Sequence, residues 1–403
     1  VAPALKSSTD VPEVSMVRPE LGILVGLFVA AACGGSTATS PGAARAKVAA
    51  GNPFEGAHLY IDPSFVKKVE STAAGAPTGD AARIRKAAEV PTAVWVDSIA
   101  TVANVATVLD DAKRQPTQPV VPLFAVYNLP NRDCAAKASA GELSLENGGE
   151  ERYKTEFIDK IAAQLAAHPS QRAAIILETD SIPNLVTNLD LPKCGAADQP
   201  FRRLIAYAAA KLSSAGAYVY LDAGHAGWLG WDGNRTKAVE IYRDILARAG
   251  GNHTIRGFFT NVSNYNVVRG DDNKKLAPGT TAPDELTYVT KLSESLAAAG
   301  ITGKGFIIDT GRNGRGGIRT TWGNWCNVKG AGLGERSRAA PAPLVDAYFW
   351  IKTPGDSDGT SDEKAARFDD NCASPDAAPG APEAGKWFAS YFLDLVQNAN
   401  PPL

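Results

Sequence analysis

Seven short apolar runs recur along the chain at intervals of roughly 30 to 50 residues: Ala93 to Val96, Val120 to Tyr127, Ala173 to Glu178, Ala217 to Asp222, Gly257 to Asn261, Gly305 to Asp309 and Asp346 to Ile351. They are continuously apolar rather than alternating, as strands covered by helices on both faces must be. Between them lie segments with apolar residues three and four apart, such as Glu151 to His168, Arg202 to Ser214, Ala238 to Ala249 and Glu285 to Ala299. That is the spacing of helices that bury one face. Strand followed by helix, repeated, predicts an α/β fold with a parallel sheet. The 403 residues fit a single α/β barrel with insertions. An open doubly wound sheet is the competing architecture, but no phosphate-cradling glycine loop follows the first strand. Gly330-Ala331-Gly332-Leu333-Gly334 comes late, after a cysteine-bearing loop.

Nearly every run ends in a polar or aromatic residue: Trp95 and Asp97, Tyr127, Glu178 and Asp180, Asp222, Asn261, Asp309, Lys352. In a parallel barrel these carboxyl ends converge on one face, where an active site is expected. Other function classes are excluded by composition. Forty-one basic and 43 acidic residues leave a formal charge of -2 without a long basic run, so no nucleic-acid partner is expected. The four histidines and five cysteines are too scattered for a zinc set, and the acidic stretch Lys352 to Asp362 lacks the ligand pattern of a calcium loop. No metal and no cofactor are expected. One Met against seven Trp, 11 Tyr and 13 Phe gives flat, rigid apolar faces, which suit sugar rings.

The stretch Leu21 to Ala32 has the length and apolarity of a signal-peptide core and is short for a bilayer span. Residues 1–33 read as a leader, 34–51 as a low-complexity linker and 52–403 as a catalytic domain. Ala30, Ala31 and Ala32 before Cys33 resemble a lipoprotein cleavage and lipidation box, which would attach the chain to a membrane at the cell surface. An ordinary secretion signal with an incidental Cys33 is the other reading. Export permits disulfides, and Cys134, Cys194, Cys326 and Cys372 remain as an even set. Of three possible pairings, proximity in the chain favours Cys134 with Cys194 and Cys326 with Cys372.

Glu178 and Asp180, two apart at a strand end, are the obvious pair for acid/base work, and a buried acid paired with an arginine is the other reading of Glu178. If Cys134 bonds Cys194, the loop carrying Asp133 is drawn toward Asp180. Two carboxyls held close resist double ionisation, so Asp180 is expected to keep a proton near neutrality for a leaving group. Trp228 and Trp231, three apart beside His225, are repeated by Trp322 and Trp325, and stacked indoles along a groove bind a run of sugars. Lys352 and Asp358 read as site residues on the last loop.

The blocks Tyr127 to Glu142, Ile175 to Asn188, Leu221 to Trp231, Asn261 to Tyr265, Trp322 to Asn327 and Lys352 to Asp362 together resemble glycoside hydrolase family 6, the cellulases. The resemblance runs from about Asn52 to the chain end. It implies a distorted seven-stranded parallel β/α barrel and cleavage of β-1,4-glucan with inversion. By position it implies Asp180 as general acid, with Asp133 raising its pKa and guiding water. Tyr127 would press on a distorted sugar, Ser139 would hold the water, and Asp358 stands at the position often proposed as base. Arg132, Asp222 and Arg312 would support these groups. Trp95, His225, Trp228, Trp231, Asn264, Trp325, Lys352 and Asp356 would contact cellulose or cello-oligosaccharides. The long segment Asp358 to Lys386 implies loops roofing an active-site tunnel and release of cellobiose from non-reducing ends by a secreted monomer. An endo-acting enzyme with an open cleft is the alternative, as is a weakly active surface glucan-binding protein. The family pattern Glu-Pro-Asp reads Glu178-Thr179-Asp180 here, so a less firmly held acid and reduced activity are expected.

Overall fold

A computed structural model describes residues 51–271 and 277–403. The expected leader, its Cys33 and most of the linker lie outside the described residues. The main sheet has eight strands in the order β2-β4-β5-β6-β7-β8-β10-β9. These are β2 (Val94–Val96), β4 (Leu123–Val126), β5 (Ala174–Leu177), β6 (Tyr218–Asp222), β7 (Gly257–Thr260), β8 (Gly305–Asp309), β9 (Arg338–Ala342) and β10 (Val345–Phe349). The first seven in that order pair in parallel, and β9 adds antiparallel to β10. The two ends of the parallel set, β2 and β10, meet through a single bridge, Thr92 to Trp350, with Ala93 N donating to Trp350 O at 3.1 Å. The sheet is therefore curled into a barrel whose closing seam is nearly unladdered.

Two features depart from the seven runs read in the sequence. Strand β9 was not expected: its sequence Arg-Ala-Ala-Pro-Ala carries no apolar run, and Pro341 is tolerated because the strand lies at an edge. The run Val120 to Tyr127 is also two strands rather than one. Pro122, with no N–H to give to a ladder, divides it. Upstream, β3 (Val120–Val121) pairs in parallel with β1 (His58–Leu59) in a separate two-stranded sheet, while β4 enters the barrel.

Alternation along each strand separates two packed layers. Leu123, Ala125, Ala174, Ile176, Tyr220, Phe259, Ile307, Ala347 and Phe349 point inward and fill the barrel together with Phe54, whose ring lies 6.0 Å from that of Phe349. Their neighbours Phe124, Val126, Ile175, Leu177, Val219, Leu221, Phe258 and Phe306 face outward onto the helices. The interior is thus a solid core, and any ligand must bind above it. The segment expected as one helix over Glu151 to His168 is helical but interrupted by a wide turn at Tyr153–Ile158, between Gly149–Arg152 and Asp159–Ala166. Such insertions re-aim side chains locally. The helix expected from Arg202 begins earlier, at Pro192–Ser214, with Pro at its first position and Pro200 inside.

Candidate active site

The inward alternation continues past the strand ends and delivers side chains to the carboxyl face. After Leu123 and Ala125 the next inward residue is Tyr127, and Trp95 of β2 stands beside it, ring edge to face at 5.9 Å. At Glu178 the alternation breaks. Its φ of 58° is left-handed, uncommon for a residue with a side chain, and it turns the carboxylate outward. There Glu178 accepts from Asn128 N at 3.0 Å, Leu129 N at 3.0 Å and Tyr153 OH at 2.8 Å. The wide helical turn that carries Tyr153 brings this hydroxyl to it. Asp180, also left-handed with φ 63°, then faces the cleft. The expected acid pair Glu178 and Asp180 is therefore divided. Glu178 is 1% exposed, pushed up to about 7 mainly by burial, and ties the strand end to the loop that leads to Asp133.

A cleft of about 770 Å³ opens on this face. Tyr127, Asp133, Ser139, Asp180 and Asp358 line it, as do Trp95, His225, Trp228, Trp231, Asn264, Trp325 and Lys352. Both disulfides join the cysteines that proximity favoured, Cys134 to Cys194 and Cys326 to Cys372. Asp133 follows a reversal at Asn131, has φ 56°, and accepts from Ser139 N at 3.0 Å. Arg132 lies beneath this loop, its guanidinium 4.3 Å from the centre of the Tyr127 ring. It donates to Tyr127 O, to Asp97 O at 2.6 Å and to Ser139 O at 3.0 Å. Arg132 thus fixes Tyr127 and the Ser139 backbone together. Asp356 is not among the lining residues. It pairs with Lys68, whose Nζ is 2.7 Å from Oδ1.

The acids around the cleft differ sharply in proton affinity. Burial, and then the negative charge of Asp133, push Asp180 up to about 7, while Lys352 pulls it down. The sequence expectation put the second carboxyl first. Desolvation is the larger cause. Asp222, behind Asp180, is driven well above the usual range by burial and by the Asp180 charge, although Gly224 N donates to its Oδ1 at 2.8 Å. Asp358 goes the other way. Burial would raise it, but Arg312 and Lys352 hold it below the ordinary carboxylate value. Its Oδ2 accepts from Arg312 Nη1 at 2.7 Å, Asn327 N at 2.8 Å and Tyr265 OH at 3.2 Å, and Lys352 Nζ stands 3.4 Å from Oδ1.

One end of the cleft is aromatic. Trp228 Nε1 donates to Thr187 Oγ1 at 2.8 Å, and the rings of Trp231 and Trp322 lie 5.7 Å apart at 53°. Trp231 therefore packs against Trp322. That residue is a cleft wall in its own right, signalled in the sequence only by the repeated Trp-x-x-Trp spacing. His225 is lowered to about 3 by burial and by Arg319, so it is neutral and acts as a hydrogen-bonding group between the Asn264 and Asn266 amides, at 3.0 and 2.8 Å. Arg319 had no motif around it. It reaches Asn264 Oδ1 and Asn266 Oδ1, each at 3.2 Å. Thr179 lines the cleft where the family pattern has proline. The grip on Glu178, and Asn184 Nδ2 donating to Asp180 O at 2.7 Å, hold the backbone on either side of it. Among the described residues no group of His, Cys, Asp and Glu is arranged to hold a metal ion, and no helix is long and apolar enough to cross a membrane.

Two of the loops that line the cleft are joined to one another. Lys137 N, on the Asp133 loop, donates to Asp369 Oδ2 at 3.0 Å, on the segment between Asp358 and Lys386. The aromatic wall and the half-buried Asp180 of raised proton affinity together describe a site for a saccharide chain.

Comparison with known proteins points the same way. The model of the family described as Glycosyl hydrolases family 6 matches residues 54–399. Exoglucanase 3 of Agaricus bisporus is 42% identical over 358 residues, which span 88% of this chain and 80% of that protein. The CcCel6A catalytic domain, solved in complex with p-nitrophenyl beta-D-cellotrioside, superposes with a TM-score of 0.85 at 41% identity, covering 88% of this chain and 99% of that one. Cellobiohydrolase II (Cel6A) from Humicola insolens, solved with glucose and cellotetraose, gives 0.83 at 38% identity, with 88% and 100% covered.

Proposed function

Because the chain belongs to glycosyl hydrolase family 6, we propose that its cleft hydrolyses the β-1,4-glucosidic bonds of cellulose with inversion, releasing cellobiose from the non-reducing end. The observation that carries this reading is Asp180: a carboxyl raised to about 7, beside Asp133, in a cleft walled by tryptophans. Protonated, Asp180 donates to the departing glycosidic oxygen. Inversion then needs a water on the opposite face of the sugar and a group to accept its proton. Asp358 is a poor acceptor, since four donors already occupy it and its proton affinity is depressed. Asp133, which is bonded to Ser139 N and lines the cleft, takes the proton through the water that Ser139 helps to hold. Tyr127, backed by the Arg132 guanidinium, presses on the sugar at the cleavage point. Two disulfides support an extracellular place of work.

Incubation with amorphous cellulose is expected to release mainly disaccharide, and proton NMR of the earliest product should show the α anomer. Mixed long oligosaccharides or a β product would overturn the assignment. A roofing role for the contact between Lys137 and Asp369 is tested separately. Asp369→Ala removes the acceptor of Lys137 N, so the loops part and internal chain segments gain entry. The variant should thin carboxymethyl cellulose faster than the parent enzyme at equal cellobiose release. Unchanged viscosity curves would mean that this contact does not close the cleft.

A further inference from the structure

Lys193 is placed where helix electrostatics disfavour it. It is the second residue of the helix Pro192–Ser214, at the end that carries partial positive charge, and no acidic residue shares that first turn. The next residue, Cys194, is bonded to Cys134, which follows Asp133 directly in sequence. The crosslink thus fixes the helix start against the Asp133 loop, and Lys193 Nζ stands 3.5 Å from Asp133 O. We propose that Lys193 is a positioning residue of the hydrolytic reaction: its ammonium, delivered by the Cys134–Cys194 crosslink, keeps Asp133 in its carboxylate form. The inference rests on the role of Asp133 in the proposed mechanism.

The groups facing Asp133 leave Lys193 as a cation available for this task. From its own loop, Arg132 is spent on Tyr127 O, Asp97 O, Ser139 O and the Tyr127 ring. From strand ends come the Tyr127 hydroxyl, which is neutral because burial holds its proton, and Asp180. The segment between Asp358 and Lys386 contributes Asp369, a second negative charge. Burial and Asp369 push the Asp133 carboxyl up, while the Ser139 amide, Lys193 and Arg132 pull it down. If Asp133 took up a proton, the water would lose its acceptor. The Asp180 proton would also become easier to lose, because the neighbouring charge that strengthens it would be gone.

The test is the pH dependence of kcat/KM on a soluble cello-oligosaccharide for the parent enzyme, Lys193→Gln and Lys193→Arg. An exposed ammonium held at the backbone carbonyl of Asp133 is worth on the order of half a pH unit to the carboxylate of that residue in a high dielectric. Lys193→Gln should therefore move the acid limb up by about that much and cost about threefold below it. Lys193→Arg should restore the parent profile. Because the side chain is exposed, the shift should shrink at 1 M salt, where screening reaches only about 3 Å. A uniform loss at every pH, a shift that Arg does not rescue, or a shift indifferent to salt would each overturn the proposal. An inactive parent enzyme would instead count against the reading of the site itself, so the two failures are told apart.

Discussion

Asp180→Ala is expected to lower kcat on cellulose by about 10² to 10⁴, the usual worth of a positioned general acid. Hydrolysis of an aryl cello-oligosaccharide with a strongly acidic phenol should fall far less, since that leaving group departs with little help from a proton. Comparing the two substrates separates proton donation from binding. Equal losses on both would contradict the acid role of Asp180. The same residue sets the alkaline limb. With its carboxyl at about 7, the protonated fraction and hence kcat/KM on cellulose should decline as pH rises through neutrality.

Stability should report the same proton. An aspartate in the unfolded chain ionises near 4, whereas the folded protein holds the Asp180 proton up to about 7. Between these values the folded state binds more protons than the unfolded one, so unfolding free energy falls as pH rises across that window. Glu178 and Glu285, raised to about 7 and about 8 by burial, act in the same direction. Asp180→Asn removes one of these contributions. Its Tm should therefore decline less steeply between pH 5 and 8 than that of the parent protein, while Asp358, already ionised, adds nothing to the slope there.

The parallel strands were legible because burial on both faces forces continuous apolar runs, and that signal survives without any alignment. The edge strand Arg338–Ala342 was not, since a partly exposed edge makes no such demand on composition. That Trp95, Tyr127 and Asp180 line the cleft was legible from their place at strand ends. A buried role was one reading of Glu178, but its partners, two backbone amides and Tyr153 in place of an arginine, were hidden, because they depend on left-handed backbone conformations flanking Thr179 that no spacing rule encodes. Asp356 shows the opposite failure. It lies within the last loop near Lys352 and Asp358, but its partner, Lys68, is 288 residues away in sequence, and only folding brings the two together. Arg319, which braces Asn264, Asn266 and the backbone of the cleft-lining Trp322, lies on irregular chain, where position in sequence says little about position in space.

Removing the bond between Cys134 and Cys194 by changing both to Ser should have the second large effect, on stability and turnover together. The crosslink closes a loop with a sequence separation of 60. Freeing a loop of that length in the unfolded state is worth about 4 kcal/mol by the chain-entropy model. The folded state also loses a constraint. Asp133 sits in a left-handed conformation that an aspartate adopts at some cost, and the adjacent Cys134 is what anchors it to the helix start. Released, the residue gains access to ordinary backbone conformations that withdraw its carboxylate from Ser139 N and from the water. Misplacement by about 1 Å can cost about 10² in rate. The double Ser variant should therefore melt well below the parent and, at temperatures where it remains folded, show a lower kcat with a smaller change in KM. Its alkaline limb should also move down, since a displaced Asp133 no longer raises Asp180. A variant that loses stability but keeps the parent kcat and pH profile would show that the crosslink serves the fold alone, and that Asp133 is held by its own loop.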